Sequence, residues 1–190
     1  MSTQQKINIR NSVLVLMIII ATSVRMLNPG NIVTWANFTP VGAVALFGGA
    51  YFSDKWKAYL VPLVVLLISD LVINYTKYNK VGLFDGAWVV YLSFAAMVFI
   101  GTLIKNVSAL KVILASVAAV LLHWLLTDMT FGSTFYGPGL TGYFQSLTAA
   151  IPFEAKMIWG TLLFSAVLFG GFELAKSKYT VLQTNKQLAV

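Results

Sequence analysis

Cysteine is absent from the chain, which excludes disulfides, thiolate metal sites and cysteine nucleophiles together. Charge is scarce as well: Asp, Glu, Lys and Arg make up 10% of the residues, where a soluble domain typically carries about 25%. Histidine occurs once, at His123. No Walker-type phosphate loop is present, so the chain has no usual means of hydrolysing ATP by itself. No HExxH or Cys/His cluster offers a zinc site. Ser133 stands in Phe131-Gly132-Ser133-Thr134 and lacks the GxSG context of intramembrane serine proteases. These absences give no ground for an enzyme, a cofactor or a resident metal.

What the chain does have is hydrophobicity. Apolar residues make up 58% of it and the mean hydropathy is +0.81, which marks an integral membrane protein. Its 190 residues leave little room for a separate soluble domain once several spans are subtracted, so one transmembrane domain is expected. The net charge of +7 does not point to nucleic acid. The thirteen Lys and Arg are scattered singly or in pairs between apolar runs, as membrane flanks are. The bilayer is the expected partner.

Six apolar segments read as helices of an all-α bundle. Residues 1–11 form a polar leader and Ser12–Leu27 the first span. Ala21-Thr22-Ser23 would pass as a leader cleavage site, but the topology below balances with this span retained. After NPGNIVTWANFTP, Val41–Phe52 offers only twelve residues, short of the roughly 20 a span needs. It reads as a short or half-broken helix, completed at its start by part of WANFTP. Its Ala45 and Gly49 form a small-xxx-small pair suited to close helix packing. The third span is Ala58–Ile73, with Pro62 near its start, and the fourth is Ala87–Ile104. The fifth is Val112–Thr127, the sixth Phe153–Leu174, and residues 175–190 form a polar tail.

Six spans permit a charge test. With the N-terminus inside, the inner segments hold nine cations: Lys6, Arg10, Lys55, Lys57, Lys105, Lys111, Lys176, Lys178 and Lys186. The outer segments hold four: Arg25, Lys77, Lys80 and Lys156. This obeys the positive-inside rule with both termini cytoplasmic, in a multi-pass protein of the cytoplasmic (inner) membrane.

So oriented, the unusual residues gather on the outer rim. Arg25, Asp70, Asn74, His123, Asp128 and Glu154 lie near the outer ends of their spans, joined by Asn28, Asn31 and Asn37. Met129–Pro152 reads as an outer loop with four glycines, two prolines, five Phe or Tyr and no Lys or Arg. An ionisable group within a span costs roughly 2.5–3.5 kcal/mol by insertion scales, so it faces protein or water and marks function. Each residue also has a plainer role open to it. Asp70 can pair with Arg25 or Lys77, His123 can be a packing residue, and Glu154 beside Lys156 can be a hydrated flank. Asp128 stands about 140° around a helix from His123, so the two meet only if the helix unwinds. It can instead cap the span. The expected site comprises Arg25, Asn37, Asp70, Asn74, His123, Asp128, Phe135, Tyr136, Tyr143 and Phe144, with the polar groups orienting a ligand and the aromatics covering its apolar faces.

The stretches NFTPVGAVALFGGAYF, PLVVLLISDLVI and GLTGYFQSLTAAIPF…LLFSAVLFGGFEL resemble an uncharacterised family of small bacterial six-helix membrane proteins. That family is similar in turn to the substrate-binding (S) components of energy-coupling factor vitamin transporters, particularly the solitary cobalamin type. The resemblance covers the chain from about Asn37 to Leu174. It implies a six-helix bundle with an outward-facing pocket for a vitamin-like molecule, and a separate energising ATPase module as a partner. Two features depart from the pattern. The cysteine associated with cobalt ligation is missing, leaving His123 as the strong nitrogen ligand if a cobalt-containing molecule is bound. The first helix, VLVLMIIIATSVRM, shows no alanine-rich docking repeat. The other expectation open to these residues is a small proton- or ion-coupled carrier or channel, acting as an oligomer, with Asp70 and His123 as a relay.

Overall fold

The computed structural model describes residues 1–26, 37–129 and 135–183. Among them the chain is all-helical: α1 (Thr3–Ser23), α2 (Val41–Tyr51), α3 (Lys55–Tyr78), α4 (Ala87–Thr102), α5 (Ala109–Thr127) and α6 (Gly139–Lys178), with a closing 3-10 turn at Thr180–Leu182. Four of these, α1, α3, α5 and α6, are long and apolar enough to cross a membrane, and α2 and α4 are shorter apolar helices. Asn28, Asn31 and Ser133, singled out above, lie outside the described residues.

The helices run alternately up and down. Arg10 near the start of α1 donates to Ser53 after α2, and Tyr51 donates to Glu173 near the end of α6, so these groups share one end. Arg25 just past α1 reaches Ser69 and Asp70 of α3 at the other. Large apolar side chains lie exposed around the outside, among them Leu16, Ile20, Leu60, Ile68, Leu92, Phe99, Leu114, Leu121, Leu163 and Val167. A girdle this extensive is what lipid, rather than water, solvates.

The centre is α2. Ten of its eleven residues are buried, as expected of a helix apolar on every side. Small residues bring its neighbours close: a Cβ on Gly49 would collide with the carbonyl of Val98 on α4, and one on Gly101 with that of Leu46. The packing role expected of Gly49 is thus what it performs. Phe47 meets Tyr51, Phe169 and Phe172 at ring-centroid distances of 4.9, 5.5 and 5.8 Å. Asn37–Pro40 does not lengthen α2, because the helix starts only after Pro40.

Helix α3 is longer at both ends than the span read from sequence, running Lys55–Tyr78, and three other regions differ more. Helix α1 begins at Thr3, because Ser2 and Gln5 form a reciprocal capping box; the polar leader is its first turns, with Arg10 buried. The segment read as a loop through Pro152 is helical from Gly139, and Pro152 lies inside α6. The tail begins within α6, which runs to Lys178, and Leu182 after it is buried in the core.

Candidate functional site

Two polar clusters occupy the end of the bundle opposite the N-terminus. In the first, Arg25 Nη1 donates to Asp70 Oδ1 at 2.8 Å and to Ser69 Oγ at 2.7 Å. The Tyr91 hydroxyl donates to Asp70 Oδ2 at 2.9 Å. Both carboxylate oxygens are therefore occupied, and the pair is largely buried, with side chains 18% and 10% exposed. The network ties α1, α3 and α4 together. Asn74, one turn beyond Asp70, donates instead to the Gly82 carbonyl at 2.8 Å and holds the α3–α4 loop. That loop starts at Asn79, which takes a left-handed conformation past the end of α3.

The second cluster joins α5 to α6. His123, buried near the end of α5, packs in a tilted arrangement against Phe94 of α4, at a ring-centroid distance of 5.4 Å. Its Nδ1 lies 3.6 Å from Glu154 Oε1, an ion pair only when the ring is protonated. Glu154 is buried, and among the described residues its other oxygen, Oε2, has no hydrogen-bond partner. Asp128 is the C-cap of α5 and accepts from Ser146 Oγ at 3.2 Å. Its carboxyl is held above the usual range chiefly by burial and secondarily by the charge of Glu154, against the hydrogen bond from Ser146 and the charge of His123. Helix α5 does not unwind before Thr127, so Asp128 and His123 do not meet directly. They share α6 as a neighbour.

The first third of α6 lies along the last turns of α5. Tyr143 donates to the Leu125 carbonyl at 2.9 Å and Trp124 Nε1 to the Leu147 carbonyl at 3.1 Å. The aromatics divide. Tyr143 is engaged with α5, while Phe135 and Phe144 are 89% and 62% exposed, and the near-neighbour pairs Phe135–Tyr136 and Tyr143–Phe144 contact each other. Asn37 takes a positive φ of 66°, and its carbonyl accepts from Thr39 N. Its evident role is to shape the chain entering α2.

Of the expected residues, the structure joins Arg25 to Asp70 and brings His123 and Asp128 to the same stretch of α6. It keeps Asn74, Asn37, Phe135 and Phe144 in separate surroundings. Tyr91, Ser69 and Ser146 were not expected, and Glu154 is buried rather than a hydrated flank. The signal for Glu154 is periodic: Ser146, Glu154, Met157, Thr161, Ser165, Leu168 and Phe172 lie at helical spacings and are all buried. Starting the helix at Phe153 hides the first turns of that stripe.

Among the described residues no group of three or more His, Asp or Glu is arranged to hold a metal ion. No curated protein and no solved structure matches the chain. Residues 5–184 match the model of DUF6580, a family of unknown function, and the chain belongs to that family.

Proposed function

We propose that this is a membrane-embedded substrate-binding or transport protein of the cytoplasmic membrane. It crosses the bilayer six times, has both termini inside, and takes a small vitamin-like molecule at its outer end. The observation that carries this reading is Glu154. A buried carboxylate oxygen without a donor is costly in an apolar surrounding, and a ligand N–H or O–H would satisfy it. His123 and Asp128 stand nearby with further polar capacity, and Tyr143, held on α5 through the Leu125 carbonyl, adds aromatic surface at the same end. The Arg25–Asp70–Tyr91 network is the fixed wall and does not contact the ligand. On the S-component reading of the sequence, a separate ATPase module would supply the energy for release inward.

Native mass spectrometry of the protein purified gently from its own host tests the reading. The expected result is a co-purifying small molecule that Glu154→Gln or His123→Ala removes, while yield and helical content are kept. Empty wild-type protein, or a ligand equally retained by both variants, counts against it. A second reading, a proton-coupled carrier, draws on the same trio of titratable groups. It requires pH-dependent flux in proteoliposomes that both variants abolish; the binder alone gives none.

A further inference from the structure

The opposite end of the bundle holds a second polar feature, unrelated to the cluster around Glu154. A cavity of about 370 Å³ opens between α1, the α2–α3 connection, the α4–α5 connection and α6, within the roughly 300–1,000 Å³ range of small-molecule sites. Arg10, Lys105 and Lys176 line it against a single carboxylate, Glu173. That carboxylate is already engaged: its Oε1 accepts from the Tyr51 hydroxyl at 2.6 Å and from Lys176 Nζ at 2.7 Å. Arg10 is only 8% exposed, and its Nε is buried without an acceptor among the described residues. Among the described residues its one hydrogen bond goes from Nη1 to Ser53 Oγ at 3.2 Å. Lys105 has no ion-pair partner among the described residues. With Glu173 paired to Lys176, Arg10 and Lys105 leave the cavity positive with donors to spare, the chemistry that holds a phosphate group.

A second cavity, of about 380 Å³, adjoins the first at Val107 and Glu173. It runs between α5 and α6, lined by Val112, Ile113, Leu162, Ala166 and Phe169. Ile113 and Ala166 are exposed on the apolar flank of the bundle, so this crevice opens where lipid chains lie. A soluble phosphate would use only the first cavity. An amphiphile uses both.

We propose that the two cavities form one site for an anionic phospholipid, the phosphate among Arg10, Lys105 and Lys176 and an acyl chain in the α5–α6 crevice. Basic pockets between transmembrane helices bind such headgroups on general electrostatic grounds. Here the buried arginine adds directional donors to the charge. The bound lipid would clamp α1, α4 and α6 together at the end where their own hydrogen bonds leave Arg10 Nε unmet.

The test uses the full-length protein, exchanged into detergent and offered phosphatidylglycerol, phosphatidylcholine of the same chains, or inorganic phosphate, with native mass spectrometry as the readout. One phosphatidylglycerol per chain should survive activation that strips phosphatidylcholine. Lys105→Gln, a rim change at an exposed lysine, should weaken its retention by roughly fivefold. Ala166→Trp, which fills the crevice, should weaken it as well. Equal retention of the two lipids, or no response to the rim variant, overturns the proposal. So does phosphate binding as tight as that of the lipid and indifferent to Ala166→Trp, because the cavity would then serve a soluble anion.

Discussion

Replacing Asp70 by Asn tests how the outer end is held. The change keeps the size of the side chain but removes the charge that faces Arg25 Nη1 at 2.8 Å. It also weakens the acceptor of the Tyr91 hydroxyl. Breaking a buried ion pair by removing one partner costs about 3–5 kcal/mol, mostly because the other charge is left uncompensated. Arg25 is 18% exposed and keeps its bond to Ser69, so a cost of about 2–3 kcal/mol is the appropriate magnitude. For a chain of this size that is a fall in Tm of about 4–12 °C, readable by circular dichroism in detergent. The double variant Arg25→Met with Asp70→Leu removes both charges at similar volume. It should regain most of the loss, because neither charge is then left buried alone. An unchanged Tm in Asp70→Asn, or a double variant no better than the single, would refute the account of Asp70 as a structural partner. If instead Asp70→Asn is stable but loses a bound ligand, Asp70 belongs to the binding surface.

Gly101→Leu should lower stability by about 1–3 kcal/mol, the usual cost of overpacking. The obstacle there is the backbone of Leu46, which no rotamer change can move. A Tm equal to that of the wild type would mean that α2 and α4 cross further apart. Asp128→Asn probes the raised carboxyl at the end of α5. A carboxyl raised in the folded state favours folding while protonated; that contribution fades as pH rises from about 3.8 through the raised value. The Asn variant still offers an oxygen to Ser146, so it should melt above the wild type at neutral pH and converge with it in acid. A gap that widens in acid would reverse the assigned sign.

Much of the architecture was legible because membrane helices are written in long apolar runs, and the short α2 because its run stops at twelve residues. The ends were harder, and for identifiable reasons. Ser2 and Gln5 carry a capping box that places the start of α1 at Thr3, yet the polar residues 1–11 look like a leader when only hydropathy is weighed. Glycine and proline in Met129–Pro152 read as loop. Pro152, however, is exposed, and the helix on both sides is fixed by packing on α5 through Tyr143, Leu147 and Glu154. In the candidate site, the convergence of Arg25, Asp70, His123 and Asp128 on one rim followed from topology and charge. Which of them touch did not, because Arg25 and Asp70 are 45 residues apart in sequence. Tyr91 and Ser69 gave no sign of their roles: a tyrosine and a serine on apolar helices look the same whether or not they face a carboxylate or a guanidinium.

Helix α6 contributes to both ends of the molecule. Below Pro152 it runs without a break, and Glu154 and Glu173 lie 19 residues apart on it, about 28 Å along one rod. A rod cannot tilt at one end alone. Rotating this segment by about 10° around its midpoint would shift the two carboxylates by roughly 2 Å in opposite directions. That is enough to open the 3.6 Å approach of Glu154 to His123 or to pull Glu173 from the Tyr51 hydroxyl. If this segment tilts as a rod, occupancy at one end would be mechanically visible at the other, and a lipid anchored beside Glu173 would set the lever's resting angle.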